Sequence, residues 1–380
     1  MFILFTNFII RGIFVLKLFG KKIRKSWCIT FLIGAAIFGL FIGFNAFQKS
    51  IFSSMDFSDY AFLGGVSGKP AEVVDDINAN VSPKIYDDDM CVHFINVGKA
   101  DCAYIKCKDV NILIDAADLE PAGAVVEYLK RQKVEKLDLV VMSHPHRDHI
   151  GQMAGVIREF KVDKFIEADI PKSIIPITRT YENMLKALIE KQVPVKSVSV
   201  GKSFKIGDLK IDILGPVRAN KENMNDNSIV MKITYKDVSF LFTGDASKAE
   251  ENDIIKHYGL SKFNLGKANE NLKTNRKGIE NSKTWAENNE EPQNVLKSDV
   301  LKVGHHGSNT SSTKKFLECV NPDYAVISTI EKSKPYIPSG WRWHTLERLE
   351  KCCDKIYKTY ESGNIIFLTD GKTIKVETEK

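Results

Sequence analysis

The residues most able to do chemistry lie in one short segment, residues 143–151, which reads SHPHRDHIG. It places three histidines and an aspartate within six residues, although the whole chain has only eight histidines. Imidazole and carboxylate groups are the ligands that borderline divalent metals prefer. Residues i and i+2 of an extended chain point the same way, so His144 and His146 could hold one metal ion. Asp148 and His149 follow the bend and could reach a second ion beside it; the alternative is a solvated histidine-rich loop.

Two later segments also end an apolar run with polar side chains. The run VSFLFTGDAS at 238–247 predicts a strand followed by Asp245, which could bridge two cations or cap the next helix. The run LKVGHHGSNTSS at 301–312 predicts a strand followed by His305 and His306. One or both of these histidines could complete a metal site, and the alternative is an ordinary polar turn.

Four further residues are candidates for supporting roles. Asp101 and Asp115 could orient ligand imidazoles through hydrogen bonds, or could cap turns. Arg147 could meet a phosphate oxygen, or could be a solvated side chain. Ser308 could donate to a substrate oxyanion, although turns rich in serine and threonine are common without any function.

The elements that must position these residues can be predicted from hydrophobic periodicity. The β-rich runs at 91–97, 103–107 and 111–116 predict a strand meander. Residues 121–134 have helical spacing, and the apolar run at 137–143 predicts a strand buried on both faces. The first histidine segment therefore begins where a buried strand ends.

Together these segments resemble the metallo-β-lactamase superfamily, and most closely the metallo-β-lactamase-like domain of ComEC-type DNA-uptake channel proteins. The resemblance covers nearly all of residues 90–380. Its motifs, in chain order, are FINVGKAD, LIDA, SHPHRDHIG, NDNSIVMKITY, FTGDA, LKVGHHGS and YAVIS. It implies an α/β (α+β) fold, the αββα four-layer sandwich, with two divalent ions, Zn²⁺ or Mn²⁺, at one edge between the sheets. It also implies a phosphodiesterase or nuclease, with DNA as the first substrate to consider.

The chain departs from the family pattern at several positions. Asn96 replaces the usual aspartate of the opening motif, and residues 225–228 stand where lactamases have a third histidine. Asn227 in that stretch is a candidate for a supporting or substrate contact. The late Gly-His-Pro of the relatives is replaced by residues 336–339, which contain no histidine, and His344 is a candidate substitute.

The mechanism that follows from this ligand set is hydrolysis. Two divalent ions about 3.5–4 Å apart can share a water, lower its pKa toward about 7, and polarise the electrophile that the hydroxide attacks. Asp245 would bridge the ions, and Asp148 could instead accept a proton. Two other functions stay open: hydrolysis of another ester, lactam, lactone or cell-wall phosphoester, and a metal-free binding module.

The N-terminal part of the chain predicts a membrane anchor within residues 1–50. Residues 27–47 carry no charge over 21 positions, long enough to span about 30 Å of hydrocarbon. The basic segment 21–26 precedes this run, so a single span would place the catalytic domain outside the cell. A cleaved signal peptide, which would make the protein secreted, is disfavoured by the length of the run. Residues 1–20 are apolar without a decisive pattern, and residues 51–89 predict an acidic extracellular linker.

Composition sets the remaining limits. The 380 residues are 43% hydrophobic and 27% charged, which is typical of a globular protein and excludes wholesale disorder. The net charge of +6 permits nucleic-acid binding without requiring it. Residues 261–297, rich in asparagine, lysine and glutamate, predict a mobile insertion. The sequence leaves open a DNA-uptake channel as partner and gives no oligomeric state.

Overall fold

The structure is a computed structural model that describes residues 88–262, 294–330 and 343–380. Within these ranges, no helix combines the length and apolar character that crossing a bilayer requires. The following predictions lie wholly or largely outside the described residues: the membrane segment 1–50 with its span 27–47, the linker 51–89, the insertion 261–297 and the stretch 336–339.

One sheet has eight strands. In sheet order they are β17 (Ile374–Thr378), β16 (Ile365–Thr369), β1 (Met90–Phe94), β2 (Ala103–Cys107), β3 (Val110–Ile114), β5 (Leu139–Val141), β7 (Phe165–Ala168) and β8 (Val195–Val198). Strands β1 to β3 form the predicted antiparallel meander, and β3, β5, β7 and β8 run parallel. The predicted strand at 137–143 is confirmed with narrower bounds. A separate two-stranded sheet pairs β4 (Lys136–Leu137) with β6 (Lys161–Val162).

The other large sheet has seven strands. In sheet order they are β15 (Lys355–Lys358), β14 (Tyr324–Ile327), β13 (Val300–Lys302), β12 (Val238–Phe242), β11 (Val230–Tyr235), β10 (Leu209–Gly215) and β9 (Ser203–Ile206). Strands β12 to β15 run parallel. Because the carboxyl ends of parallel strands meet at one sheet edge, the segments after β12 and β13 are brought side by side.

Helices cover the outer faces of both sheets. In chain order the α-helices are α1 (Ala124–Arg131), α2 (Arg147–Ile150), α3 (Met153–Glu159), α4 (Arg179–Glu190), α5 (Lys248–His257), α6 (Lys314–Val320), α7 (Trp343–Glu350) and α8 (Thr359–Ser362). Short 3-10 turns lie at Lys172–Ile174, Met224–Asn227, Leu260–Lys262 and Gly304–Gly307. Helices α1, α3 and α4 share a core with the eight-stranded sheet, and α5, α6 and α7 share another with the seven-stranded sheet.

A third core fills the space between the two sheets. The ring of Phe94, at the end of β1, stacks on Phe242, at the end of β12, with ring centroids 5.9 Å apart. Alternate residues of β1 face this core, while Tyr104 of β2 belongs to the helix-facing core. Strands buried on both faces explain why their sequences read as continuous apolar runs. The predicted αββα four-layer sandwich is therefore confirmed.

Candidate metal centre

Three segments that follow strand ends converge at one edge of the sandwich. The chain leaves β5 and passes through His144 to His146, whose extended backbone precedes α2. The segment after β12 carries Asp245, and the segment after β13 carries His305 in a 3-10 turn. The amide of His305 donates to the carbonyl of Gly244 over 3.1 Å, which joins the last two segments directly.

A first group of side chains faces one oxygen of Asp245. The Oδ2 atom of Asp245 lies 3.9 Å from His144 Nε2 and 3.7 Å from His305 Nε2. His146 adds its Nδ1 atom 2.9 Å from His144 Nε2, so two ring nitrogens face one another. Such a pair can share a single cation.

A second group faces the other oxygen of the same carboxylate. The Oδ1 atom of Asp245 lies 3.3 Å from His149 Nε2 and 3.9 Å from His306 Nε2. Asp148 joins this group, since its Oδ2 lies 3.3 Å from His306 Nε2. The other six side chains proposed as ligands from the sequence thus lie around Asp245, and its two oxygens face two different sets of these ligands.

The donor atoms of this cluster fit divalent metal ions. His149 Nε2, His306 Nε2 and Asp245 Oδ1 are buried and make no hydrogen bond within the described part of the chain. Leaving buried polar atoms unsatisfied costs about 1–3 kcal/mol each, so a native site of this kind calls for a partner. Ligand atoms within 4.8 Å of one another form the triads His144–His149–Asp245 and Asp148–His149–His306. Nitrogen and oxygen ligands of this type suit zinc, manganese or iron.

Asp115 holds the ring of His149 in place. Its Oδ2 lies 2.8 Å from His149 Nδ1, so an Nδ1–H donor there turns Nε2 toward Asp245. Ser143 fixes Asp115 in turn, donating from its amide over 2.8 Å and from its hydroxyl over 2.7 Å. The role of Ser143 was not anticipated from the sequence, where its only signal is a serine directly before the first histidine.

Asp101 contacts the ring of His306 in a similar way. Its Oδ1 lies 3.3 Å from His306 Nδ1, which also lies 3.1 Å from the carbonyl of Ser328. The same carboxylate oxygen lies 2.8 Å from Nζ of Lys302. Both partners are buried, with side chains 7% and 5% exposed for Asp101 and Lys302. Sequence reasoning missed Lys302; a lysine inside the short apolar strand β13 was the available signal.

In this cluster the carboxylates favour the charged form of the histidines, and the histidines favour the charged form of Asp245. Burial alone would lower the pKa of His149, but the carboxylates of Asp245 and Asp115 outweigh it and raise that pKa well above its ordinary value. Burial likewise opposes a charge on His306, yet Asp245 and Asp101 raise its pKa to about 9. Burial would raise the pKa of Asp245, but His149 and His306 hold it well below the ordinary range. The cluster is therefore built to place cationic charge against buried carboxylates.

The backbone around the second histidine pair is strained. His305 and His306 have φ angles of 50° and 51°, in the left-handed region that non-glycine residues rarely adopt. Gly244, with φ 49°, occupies the same region before Asp245, and an added Cβ would lie 3.0 Å from Ser143 Cβ. Strained residues of this kind persist where the surrounding structure enforces them, and they concentrate at functional sites.

Two predicted supporting residues contact groups outside the cluster. The guanidinium of Arg147 lies against the carboxylate of Asp118, with Nε 2.8 Å from Oδ1, and its side chain is 65% exposed. The buried amide of Asn227 donates to the carbonyls of Asn220 and Asn223, over 3.0 Å each. The side chain of Asn227 therefore stabilises the loop at residues 220–227 through hydrogen bonds to its backbone.

The remaining two predicted supporting residues, Ser308 and His344, lie beside the turn that carries His305. The hydroxyl of Ser308 is buried and lies 2.9 Å from Thr310 Oγ1, which in turn lies 2.9 Å from His305 Nδ1. His344 lies on α7, where its exposed ring is 4.0 Å from a carboxylate oxygen of Glu347. His344 is in none of the metal-ligand triads found among the described residues.

The chain is similar in sequence to two curated proteins. ComE operon protein 3 of Bacillus subtilis (strain 168) is 24% identical over 241 residues, which are 63% of this chain and 26% of that protein. Recombination protein 2 of Haemophilus influenzae is 23% identical over 279 residues, which are 72% of this chain and 28% of that protein. The matched region therefore spans about a quarter of the length of these relatives.

The chain also matches a solved structure and a family model. The metallo-beta-lactamase fold protein YhfI from Bacillus subtilis has a TM-score of 0.45 and 12% identity, covering 73% of this chain and 99% of that one. The family model described as metallo-beta-lactamase superfamily matches residues 95–329, more than half of the chain. The chain therefore belongs to the metallo-β-lactamase superfamily.

Proposed function

We propose that the chain is a metal-dependent phosphodiesterase that cleaves DNA outside the cell. The superfamily assignment supports a metal-dependent hydrolase. The observation that carries the proposal is the position of Asp245, whose Oδ1 and Oδ2 face two separate sets of histidines. A carboxylate placed in this way is suited to lie between two cations.

In this proposal each set of side chains holds one ion. The first ion would be held by His144, His146, His305 and Asp245, and the second by Asp148, His149, His306 and Asp245. Divalent ions bound in such a pair lower the pKa of coordinated water toward about 7 and polarise a phosphoryl oxygen.

The protein's own residues would orient the ligands and move the proton. Asp115 fixes the tautomer of His149, and Asp101 contacts His306, so that each ring presents Nε2 to the centre. Asp148 is 30% exposed, unlike the buried Asp245, so it is the carboxylate that a substrate can reach. In this proposal Asp148 therefore has two roles: Oδ2, which lies beside His306, would contribute to the second ion, and the other carboxylate oxygen would accept a proton.

The choice of DNA rests on the relatives and on the membrane segment. Relatives of the matched region are named as a ComE operon protein, a recombination protein and a competence protein, which favours DNA over other phosphodiesters. The uncharged run at 27–47, preceded by basic residues, supports a single-pass anchor with the catalytic domain outside. In this setting a DNA-uptake channel would be a natural partner.

The activity can be tested on the full chain purified in a mild detergent. The protein is stripped with a chelator, and Zn²⁺ or Mn²⁺ is added back before assay on single-stranded DNA, bis-p-nitrophenyl phosphate and nitrocefin. We expect metal-dependent cleavage of the two phosphodiesters, lost in Asp245→Asn and retained in His257→Ala, which changes a histidine at the end of α5. Hydrolysis of nitrocefin alone, or no hydrolysis with either metal, would refute the proposal.

The membrane anchor has its own test. In intact cells, protease added outside should degrade the domain at 90–380, and alkaline extraction should leave the undigested chain with the membrane. A chain that alkali releases from the membrane, or that protease cannot reach, would contradict the proposed topology.

A further inference from the structure

A basic cleft lies next to the turn that carries His305. Its volume is about 330 Å³. It is lined by Lys248, Asn309, His344, Glu347, Arg348 and Lys351. We propose that this cleft binds a backbone phosphate of a single-stranded nucleic acid, next to the phosphodiester that is cut. The inference rests on the proposed function and extends it, because it makes a polynucleotide, and not a small phosphodiester, the preferred substrate.

The cleft is built onto the same loop as the candidate metal centre. The amide of Lys248 donates to the carbonyl of Thr310 over 2.8 Å, and the hydroxyl of Thr310 lies 2.9 Å from His305 Nδ1. On the other wall, the hydroxyl of Thr345 donates to the carbonyl of Ser308 over 3.0 Å. Both walls of the cleft are therefore fixed to the turn that presents His305 to Asp245.

Of the lysine and arginine side chains that line the cleft, Arg348 and Lys351 already have partners in the protein. Arg348 donates from Nε to the carbonyl of Ser312 over 2.7 Å and from Nη2 to that of Ser311 over 3.0 Å. Lys351 is paired with Glu347 at 2.7 Å. The hydrogen bonds of Arg348 thus hold the loop, while its charge still contributes to the positive potential of the cleft.

Lys248 is the cation left for a ligand. Its side chain is exposed at the first residue of α5, and it forms no ion pair with any residue that the structure describes. The half-buried Asn309 adds an amide donor to the same lining. An ammonium group, an amide and the nearby charge of Arg348 form a combination suited to a phosphate oxygen.

A second lysine-lined cavity among the described residues does not lie beside the candidate metal centre. It has a volume of about 340 Å³ and lies at the turn between β2 and β3. Because β3 runs parallel to β5, that turn is at the sheet edge opposite to the histidine segments. Two of its lysines are also already paired, Lys108 with Asp208 and Lys136 with Asp138. The cavity beside His305 is therefore the better phosphate site.

The test compares Lys248→Gln with Lys205→Gln, a matched change of an exposed lysine on β9, the far edge strand of the seven-stranded sheet. Binding of a fluorescein-labelled oligothymidylate to the full chain in detergent is measured by anisotropy, with EDTA present and salt varied. We expect Lys248→Gln to weaken binding about fivefold at low salt and to reduce the slope of log K against log salt by about 0.7. Lys205→Gln should match the wild type.

A second readout uses hydrolysis with the metal restored. The ratio of kcat/KM for the oligonucleotide to that for bis-p-nitrophenyl phosphate should fall about fivefold in Lys248→Gln. Equal affinity and equal salt slope for the two lysine variants would overturn the cleft assignment. If the wild type cleaves neither substrate, the proposed function fails, and a retained difference in anisotropy would still support the cleft as a phosphate site.

Discussion

The buried pair between Lys302 and Asp101 gives the sharpest prediction about stability. Nζ of Lys302 lies 2.8 Å from Asp101 Oδ1 and also donates to the carbonyl of Val303 over 2.9 Å. Burial alone would raise the pKa of Asp101, but Lys302 and His306 hold it well below its ordinary value. In Lys302→Met the aliphatic part of the side chain is kept and the charge is removed. The carboxylate of Asp101 then stays buried with one partner fewer.

The size of the effect follows from burial. Breaking a buried pair by removing one partner destabilises a protein by about 3–5 kcal/mol. For a domain of this size, that corresponds to a drop in the melting temperature on the order of 5–10 °C. Replacing both partners, as in Lys302→Met with Asp101→Asn, leaves no unpaired charge and should recover a large part of the loss.

The assay is thermal unfolding of the full chain in detergent, followed by circular dichroism with a chelator present so that metal binding does not contribute. Lys108→Met is the control, because its pair with Asp208 is about half exposed, with side chains 53% and 54% exposed. Solvent screens such a pair, so its loss should shift the melting temperature far less. The reasoning is refuted if Lys302→Met melts no lower than the control, or if the double variant is less stable than Lys302→Met.

Three further predictions concern α5 and the candidate metal centre. Burial raises the pKa of Glu251 to about 7, so the folded chain binds this proton more tightly than the unfolded chain does. The free energy of unfolding of the wild type should therefore fall by up to about 3 kcal/mol as pH rises from about 4.5 to 7. In Glu251→Gln the melting temperature should depend less on pH over the same range. An unchanged pH profile would contradict this. Gly244→Ala should lower the melting temperature by a few degrees and weaken metal retention, because its Cβ would crowd Ser143 at a left-handed position. Asp115→Asn should weaken metal binding on the order of 10- to 100-fold, because the ring of His149 loses the carboxylate that orients it. Competition with a fluorescent chelator measures the affinity, and a variant that binds metal as tightly as the wild type would contradict this prediction.

Much of the fold could be predicted because its signals are local. The strands of the meander and β5 are short apolar runs, and each is recognisable without knowing its neighbours. The candidate ligands could be predicted for the same reason, since His144, Asp245 and His305 each directly follow such a run. The carboxyl ends of the parallel strands β12 and β13 meet at one edge of their sheet, so a local pattern was enough to predict that Asp245 and His305 lie close together.

What the sequence could not give are contacts between distant positions. The pairing of Lys302 with Asp101 joins residues about two hundred positions apart, and nothing in either local sequence names the other. The left-handed backbone of His305 and His306 could not be predicted either, because only a few per cent of non-glycine residues have a positive φ and two in succession are rarer still. It is this backbone that lets consecutive histidines face different oxygens of Asp245, a choice that the sequence left open.

The central claim, that strand ends gather ligands for two divalent ions around Asp245, is tested most directly by metal content. Inductively coupled plasma mass spectrometry of the purified full chain should find about two divalent ions per wild-type chain and per His257→Ala chain. Asp245→Ala, which removes the shared carboxylate, should lose metal while remaining folded by circular dichroism. A wild-type chain without divalent metal after loading with Zn²⁺ or Mn²⁺, or an Asp245→Ala chain with undiminished content, would contradict the account.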